Sequence, residues 1–151
     1  MDKQARIAGS QEYFVVLDHI NLRVADYARS KQFYLAALTP LGFRLAMEGA
    51  SGAGFSKGYI PSFWIKAGVP PASGPSALPF PLEGCGGPYL HVAFASETRA
   101  AVDAFHRAAL AAGGRDNGGP GLRTEYHANY YGAFILDPDG YNIEAVCHKP
   151  E

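Results

Sequence analysis

The stretches Leu17-Asp18-His19-Ile20-Asn21-Leu22 and Leu90-His91-Val92-Ala93-Phe94 share one pattern, a histidine set in an alternating run of apolar residues. Alternation with a period of two predicts a β-strand with one apolar face. Each strand is followed by a helical pattern, which we expect Asp26 to cap and which runs to Leu38 in the first half, and which we expect Ser96 to cap and which runs to Ala112 in the second. The two halves of the chain therefore open with the same βα unit, which indicates an internal duplication.

The sequence after each helix continues the repeat. Both halves contain three short runs typical of strands, separated by turns rich in glycine or aspartate. These runs are residues 43–48, 55–57 and 62–67 in the first half, and residues 122–127, 132–136 and 141–148 in the second. The order βαβββ thus occurs twice, and it predicts an α+β fold of two tandem βαβββ modules.

Composition suggests where the modules begin and end. We expect a polar tail at residues 1–13, a first module at 14–68, a connector at 69–88 and a second module at 89–151. The stretch from Gly68 to Pro88 has six prolines in 21 residues, too many for regular secondary structure. We expect this connector to form an arm or the rim of a pocket, because structureless segments of that length are unusual inside a compact domain.

The bulk properties exclude several classes of partner. The chain has 151 residues, 48% of them hydrophobic, and a formal net charge of -1 with no block of lysine or arginine. Nucleic acid and anionic membranes are therefore poor partners, and no apolar run is long enough to span a bilayer. The first dozen residues lack the apolar core of a signal peptide, and the two cysteines lack metal-binding spacing. We expect a cytoplasmic protein that binds a small molecule.

Three residues have the chemistry of metal ligands. His19 and His91 alternate with the apolar residues of their strands, so both imidazoles are predicted on the faces that the helices leave uncovered. Glu144, in the last predicted strand, lies opposite Ile143 and Ala145. Two neutral imidazoles and one carboxylate that converge make an open site for a divalent ion. The alternative is that the histidines are hydrogen-bonded structural residues of half-buried strands.

Other side chains are candidates for a pocket. The duplication aligns residues 61–65 with residues 141–145, so Trp64 takes the place in the first half that Glu144 takes in the second. A polar and aromatic cluster at residues 127–131 is unusual for an ordinary strand, and it can either orient a substrate or decorate an exposed hairpin. We assign His127 and Tyr131 as candidate catalytic residues, and Arg23, Trp64, Asn129 and Tyr130 as candidate pocket residues.

Two segments resemble the vicinal oxygen chelate superfamily, which includes glyoxalase I, fosfomycin and bleomycin resistance proteins, and extradiol dioxygenases. Leu17-Asp18-His19 with Ser30-x-x-Phe33-Tyr34 is similar to the opening strand and helix of that superfamily. Asp137-Pro138-Asp139-Gly140-Tyr141-Asn142-Ile143-Glu144 is similar to its closing hairpin. The resemblance implies two βαβββ modules whose curved sheets close around a cavity.

In the superfamily members with a metal, the ligands come from the first strand of each module and the last strand of the second. The resemblance places them here at His19, His91 and Glu144. Glyoxalase I adds an acidic ligand where this chain has Trp64, which argues against glyoxalase I chemistry. A site with three protein ligands resembles that of the fosfomycin-modifying transferases and the extradiol dioxygenases. The implied cofactor is Fe, Mn, Zn or Ni.

The dioxygenase signature can be compared residue by residue. It requires a histidine, then an aliphatic-tyrosine pair, and this chain has His127 followed by Ala133-Phe134. Phe134 lacks the hydroxyl of the expected tyrosine, which puts ring cleavage in doubt, unless Tyr126, Tyr130 or Tyr131 compensates. The reaction type stays open among lyase or isomerase, thiol transfer and dioxygen insertion.

Two hypotheses of function follow from these observations. The first is a metal-dependent enzyme in which the ion chelates neighbouring oxygens of a small substrate. The second is a metal-free protein that sequesters a drug or metabolite, as bleomycin resistance proteins do. The near-neutral charge of this chain gives the second hypothesis little support. Because the superfamily often pairs its modules across a dimer, a homodimer is an open alternative for either hypothesis.

Overall fold

The structure, a computed structural model, describes residues 17–68 and 90–150. The first module contains β1 (Ile20–Val24), α1 (Tyr27–Leu38), β2 (Arg44–Gly49), β3 (Gly52–Ser56) and β4 (Phe63–Ala67). The second contains β5 (His91–Ala95), α2 (Arg99–Ala111), β6 (Arg115–Leu122), β7 (Tyr131–Leu136) and β8 (Asn142–Cys147). The predicted α+β fold of two tandem βαβββ modules is confirmed. The predicted tail at 1–13 and connector at 69–88 lie outside the described residues.

Each module forms one four-stranded mixed sheet, in the order β1-β4-β3-β2 in the first and β5-β8-β7-β6 in the second. The first and last strands of each module are parallel neighbours, and the register pairs Asn21 with Trp64 and Ala93 with Glu144. Asn21 and Ala93 each follow their strand's histidine by two residues. Trp64 therefore holds in the first sheet the position that Glu144 holds in the second.

The burial of β1 and β5 alternates along the strands. Leu22 and Val24 are buried and Asn21 is exposed, and in β5 Val92 is buried whereas His91 is exposed. The buried residues of both modules, helices included, form one hydrophobic core. The faces that carry the two histidines are therefore the faces that point away from this core.

The turn between β7 and β8 locks the two modules together. Tyr34 of α1 donates a hydrogen bond to the buried carboxylate of Asp137 at 2.5 Å. Asp139 accepts hydrogen bonds from the backbone N–H of Ala25 at 3.1 Å and from the hydroxyl of Ser30 at 3.3 Å. The Asp-Pro-Asp-Gly turn thus has a structural role, because its two carboxylates hold the start of α1 against the second module.

Two predicted details are corrected by the structure. The N-cap of α2 is Thr98, whose side chain accepts from the N–H of Ala101, whereas Ser96 donates to the carbonyl of Thr98. The third strand from the end is β6, not residues 122–127, which mostly form a turn. The glycines and the proline of β6 disfavour a strand in the sequence. An edge strand tolerates such residues, and pairing with β7, with two shifts in register, holds β6 extended.

Both helices are short. Helix α2 has 13 residues. Within residues 17–68 and 90–150, no helix combines the length and the apolar character that a bilayer crossing needs.

Candidate functional site

A histidine and a buried glutamate meet on the uncovered face of the second sheet. Nε2 of His91 lies 2.8 Å from Oε2 of Glu144. Glu144 is on the central strand β8 and its side chain is 1% exposed, whereas the side chain of His91, on the edge strand β5, is 44% exposed. A carboxylate so deeply buried needs partners for both oxygens, and His91 supplies the first of them.

Tyr130 supplies the second partner, because its hydroxyl donates to Oε1 of Glu144 at 2.5 Å. Burial, and next the hydrogen bond to Glu144, raise the pKa of Tyr130 well above its usual value, so the phenol stays protonated at neutral pH and remains a donor. A Cβ on Gly132 would lie 3.0 Å from Oε1 of Glu144 and 3.2 Å from the Tyr130 ring. Glycine at position 132 therefore leaves the space in which the two side chains meet.

Two imidazoles lie against the ring of Tyr130. Nε2 of His127 is 2.7 Å from Nδ1 of His148, and the centroids of the two rings are 5.5 Å and 5.1 Å from that of Tyr130. The backbone N–H of Asn129 donates to Nδ1 of His127. Since Nδ1 of His127 accepts, its proton is inferred to be on Nε2, from which it donates to His148. His127 thus contacts Tyr130 and not Glu144 itself.

Tyr131 lies on the other side of the sheet. Its hydroxyl donates to Oδ1 of Asp103 on α2 at 2.8 Å, and its ring packs near the guanidinium of Arg99. This is the side that α2 covers. The structure therefore does not bring Tyr131, expected as a catalytic residue, to Glu144, and Tyr131 instead joins the sheet to α2.

His19 lies in a pocket of about 380 Å³ on the first sheet. Its Nδ1 is 2.6 Å from Oδ1 of Asp18. The lining residues are Asp18, His19, Asn21, Met47, Ile60, Pro61, Trp64 and Lys66. Of the predicted pocket residues, Trp64 lines this space, whereas Arg23 is not part of the lining and its Nη1 donates to the carbonyl of Ala67 at 3.5 Å.

The structure brings two of the three expected metal ligands together. His91 and Glu144 are in contact, and His19 belongs to the pocket of the other sheet. Within residues 17–68 and 90–150, no group of three histidine, cysteine, aspartate or glutamate side chains is arranged to hold a metal ion. The described part of one chain therefore gathers two of the three expected donors.

The two gathered donors have the chemistry that a divalent transition metal requires. An imidazole nitrogen and a carboxylate suit Fe, Mn, Zn or Ni, and a second imidazole completes a facial triad. If Glu144 bound a metal ion through Oε2, the hydrogen bond from Tyr130 to Oε1 would fix the orientation of the carboxylate. His91 and Glu144 therefore could supply two of the three protein ligands of such a site.

Arg123, which the sequence analysis did not single out, also reaches this face. Its guanidinium lies over the ring of Phe134, 5.6 Å from the centroid. Phe134 in turn pairs directly with Glu144 across β7 and β8. The only sequence signal for Arg123 is the glycine-rich run before it, which can be interpreted only once β6 is known to be a strand.

Comparison with known proteins gives a consistent result. The family model described as Glyoxalase/Bleomycin resistance protein/Dioxygenase superfamily matches residues 16–145. No curated protein matches the chain.

Several solved structures are similar in fold. A glyoxalase/bleomycin resistance protein from Albidiferax ferrireducens T118 is 28% identical, with a TM-score of 0.65 over 89% of this chain and 98% of that chain. The fosfomycin resistance protein FosX from Mesorhizobium loti is 18% identical, with a TM-score of 0.61 over 88% and 92%. A family enzyme from Burkholderia phytofirmans PsJN is 20% identical, with a TM-score of 0.59 over 87% and 98%.

Proposed function

The chain belongs to the Glyoxalase/Bleomycin resistance protein/Dioxygenase superfamily, and from this premise we propose that it is a divalent-metal-dependent enzyme acting on a small molecule with two neighbouring oxygens. The contact between His91 and Glu144 carries the proposal, because it joins an exposed imidazole to a buried carboxylate on the uncovered side of the second sheet. FosX, which shares the fold, is a fosfomycin resistance protein, so at least one protein of this fold is tied to a small molecule.

The third ligand in this proposal is His19 of a second copy. Each chain carries one half-site with His91 and Glu144 and another with His19, on sheets that face away from the shared core. In a twofold dimer, each half-site meets the complementary half-site of the other copy, and two complete sites form. Strands β1 and β5, which carry or adjoin the histidines, are edge strands of their sheets and so lie where a second copy can approach.

Each residue has a defined task in this site. Glu144, His91 and His19 hold the ion, which when bound supplies a Lewis acid for the substrate oxygens. Tyr130 fixes the orientation of the Glu144 carboxylate, and Trp64 forms an apolar wall beside His19. Arg23 and Asn129 remain proposed pocket residues at its edges.

His127 is proposed as the group that exchanges a proton with solvent near the site. It is exposed, and its Nε2–H already donates to His148. The N–H of Asn129 holds its ring in one tautomer. His127 and His148 pack edge-on against Tyr130, whose hydroxyl bonds to Glu144, so one residue separates this pair from the carboxylate. Lyase, isomerase, thiol-transfer and dioxygenase reactions are all compatible with these roles.

Metal analysis of the purified protein tests the proposal. The wild type should retain close to one Fe, Mn, Zn or Ni ion per chain, and Glu144→Gln should lose it while keeping its fold. Glu125→Gln is the matched control, because Glu125 is an exposed glutamate in the turn after β6. Equal metal content in the wild type and Glu144→Gln would reject the assignment.

A second candidate function is supported by the pocket at His19. This space of about 380 Å³ is lined by apolar groups that include Met47, Ile60 and Trp64, and it does not include His91 or Glu144. A pocket of this kind suits a metal-free protein that sequesters a drug or metabolite. A thermal unfolding midpoint indifferent to Mn, Fe, Zn and chelator would favour this function over the first.

A further inference from the structure

Among the residues that the structure describes, Arg123 is held by backbone carbonyls and has no acidic partner. Its Nη2 donates to the carbonyl of Gly119 at 2.8 Å and its Nη1 to the carbonyl of Leu122 at 3.3 Å. The guanidinium also lies over the ring of Phe134. No carboxylate of residues 17–68 or 90–150 forms an ion pair with it. Of the five N–H donors of a guanidinium, the described part of the chain occupies two, which leaves three that can meet a ligand.

The glycines of β6 keep this position open. A Cβ on Gly121 would lie 2.9 Å from Nη1 of Arg123, and a Cβ on Gly118 would lie 3.1 Å from the Phe134 ring. Gly118 also has φ +140°, a conformation that other residues rarely adopt. The glycines that made β6 unlike a strand in the sequence thus leave the space in which the guanidinium lies over the Phe134 ring.

The guanidinium shares a face with the proposed ligands. Phe134 pairs with Glu144 across the sheet, and the Phe134 ring centroid is 5.9 Å from that of His91. A group bound by Arg123 is therefore beside, and not remote from, the contact of His91 with Glu144.

We propose that Arg123 binds an oxyanion of the substrate, so that the molecule carries a carboxylate or a phosphoryl group next to its two metal-chelating oxygens. A guanidinium is planar, so the remaining donors of Arg123 lie in one plane, which matches two oxygens of a carboxylate or phosphate. This substrate class rests on the proposed function, because Arg123 selects a substrate only if the neighbouring site is where chemistry occurs.

The test is a titration of the purified, chelator-treated protein with inorganic phosphate and, separately, with malonate, followed by calorimetry. The variants are Arg123→Gln, Arg123→Lys and the control Arg115→Gln, which changes an exposed arginine at the other end of β6. We expect Arg123→Gln to weaken binding about tenfold, the effect of losing roughly one charge-assisted contact. Arg123→Lys should be intermediate, because it keeps the charge and loses the planar fork.

The two anions distinguish the sources of the oxyanion. Tighter binding of phosphate assigns a phosphoryl group, and tighter binding of malonate assigns a carboxylate. Unchanged affinity of Arg123→Gln for both anions overturns the proposal, as does a wild type that binds neither. Circular dichroism of each variant confirms that it is folded before titration.

Failure of this proposal is separable from failure of the proposed function. Glu144→Gln removes a metal ligand and leaves Arg123 intact, so its phosphate affinity should be no weaker than that of the wild type. If the wild type binds no metal but Arg123→Gln lowers phosphate affinity, the anion site stands and the proposed metal-dependent function fails. If the wild type binds metal but Arg123→Gln keeps its phosphate affinity, the proposed function stands and this substrate class fails.

Discussion

Nε2 of His91 and Oε2 of Glu144 lie 2.8 Å apart, although 53 positions separate the two residues in the sequence. The contact follows from topology, because β5 and β8 are parallel neighbours and both side chains face away from the helices. Burial of Glu144 makes the contact more than a surface ion pair, since an unpartnered buried carboxylate is strongly disfavoured. The arrangement is the strongest evidence in the molecule for a site of chemistry.

Removing the Tyr130 hydroxyl should weaken metal binding. Tyr130→Phe takes away the hydrogen bond to Oε1 of Glu144, so the carboxylate is less well oriented. We expect about 10- to 100-fold lower metal affinity, measured by competition with a chelator. Tyr126→Phe is the control, because Tyr126 is an exposed tyrosine whose ring packs against that of Tyr130. Equal affinities of the two variants would contradict this role.

Removing the Tyr34 hydroxyl should destabilise the contact between the modules. Tyr34→Phe leaves the buried carboxylate of Asp137 with one donor fewer. We expect the free energy of unfolding in urea to fall by about 1–3 kcal/mol. Tyr59→Phe should have no effect, because Tyr59 is 99% exposed. A wild-type unfolding midpoint for Tyr34→Phe would show that the hydrogen bond does not stabilise the fold.

The same carboxylate predicts a pH dependence. Burial raises the pKa of Asp137 above its ordinary value of 3.8, although hydrogen bonds from Tyr34 and two backbone N–H groups oppose the rise. A raised pKa means that the folded state holds the proton more tightly, so this group's stabilising contribution is lost as the pH rises through the raised pKa. Carbon NMR titration of Asp137 should find the raised value, and Tyr34→Phe should raise it further. A pKa at or below 3.8 would refute this.

The N-cap of α2 gives a local test. Thr98→Ala removes the acceptor for the N–H of Ala101, and we expect a loss of about 1 kcal/mol in unfolding free energy. Hydrogen exchange of the Ala101 amide should accelerate in Thr98→Ala and stay unchanged in Ser96→Ala, because the Ser96 hydroxyl bonds to the carbonyl of Thr98. Faster exchange at Ala101 in Ser96→Ala alone would restore Ser96 as the cap.

The sequence was sufficient for the module order, because strong local signals mark it. The alternation around His19 and His91 and the Asp26 N-cap predicted strands and helices that the structure contains. The alignment of Trp64 with Glu144 agrees with the two strand registers. These features depend on period and spacing, which local sequence records directly.

The remaining features depend on tertiary contacts. Strand β6 is imposed by pairing with β7 against the preference of its glycines and proline. Register and loop geometry decide which side of the sheet Tyr131 faces and how His127 packs edge-on against Tyr130. They also decide the position of Arg123 over Phe134. Whether His19 joins His91 and Glu144 depends on how copies of the chain assemble, which no local pattern encodes.

Metal content after subunit exchange tests the central claim most directly. His19→Ala and Glu144→Ala should each lack metal alone, and an equal mixture should recover about one quarter of the wild-type sites, because half of the random dimers carry one intact site. A mixture of His91→Ala with Glu144→Ala should recover none, since both changes damage the same half-site. The account would be contradicted if the mixture of His19→Ala and Glu144→Ala exchanged subunits but bound no metal. It would also be contradicted if either variant alone bound as much metal as the wild type.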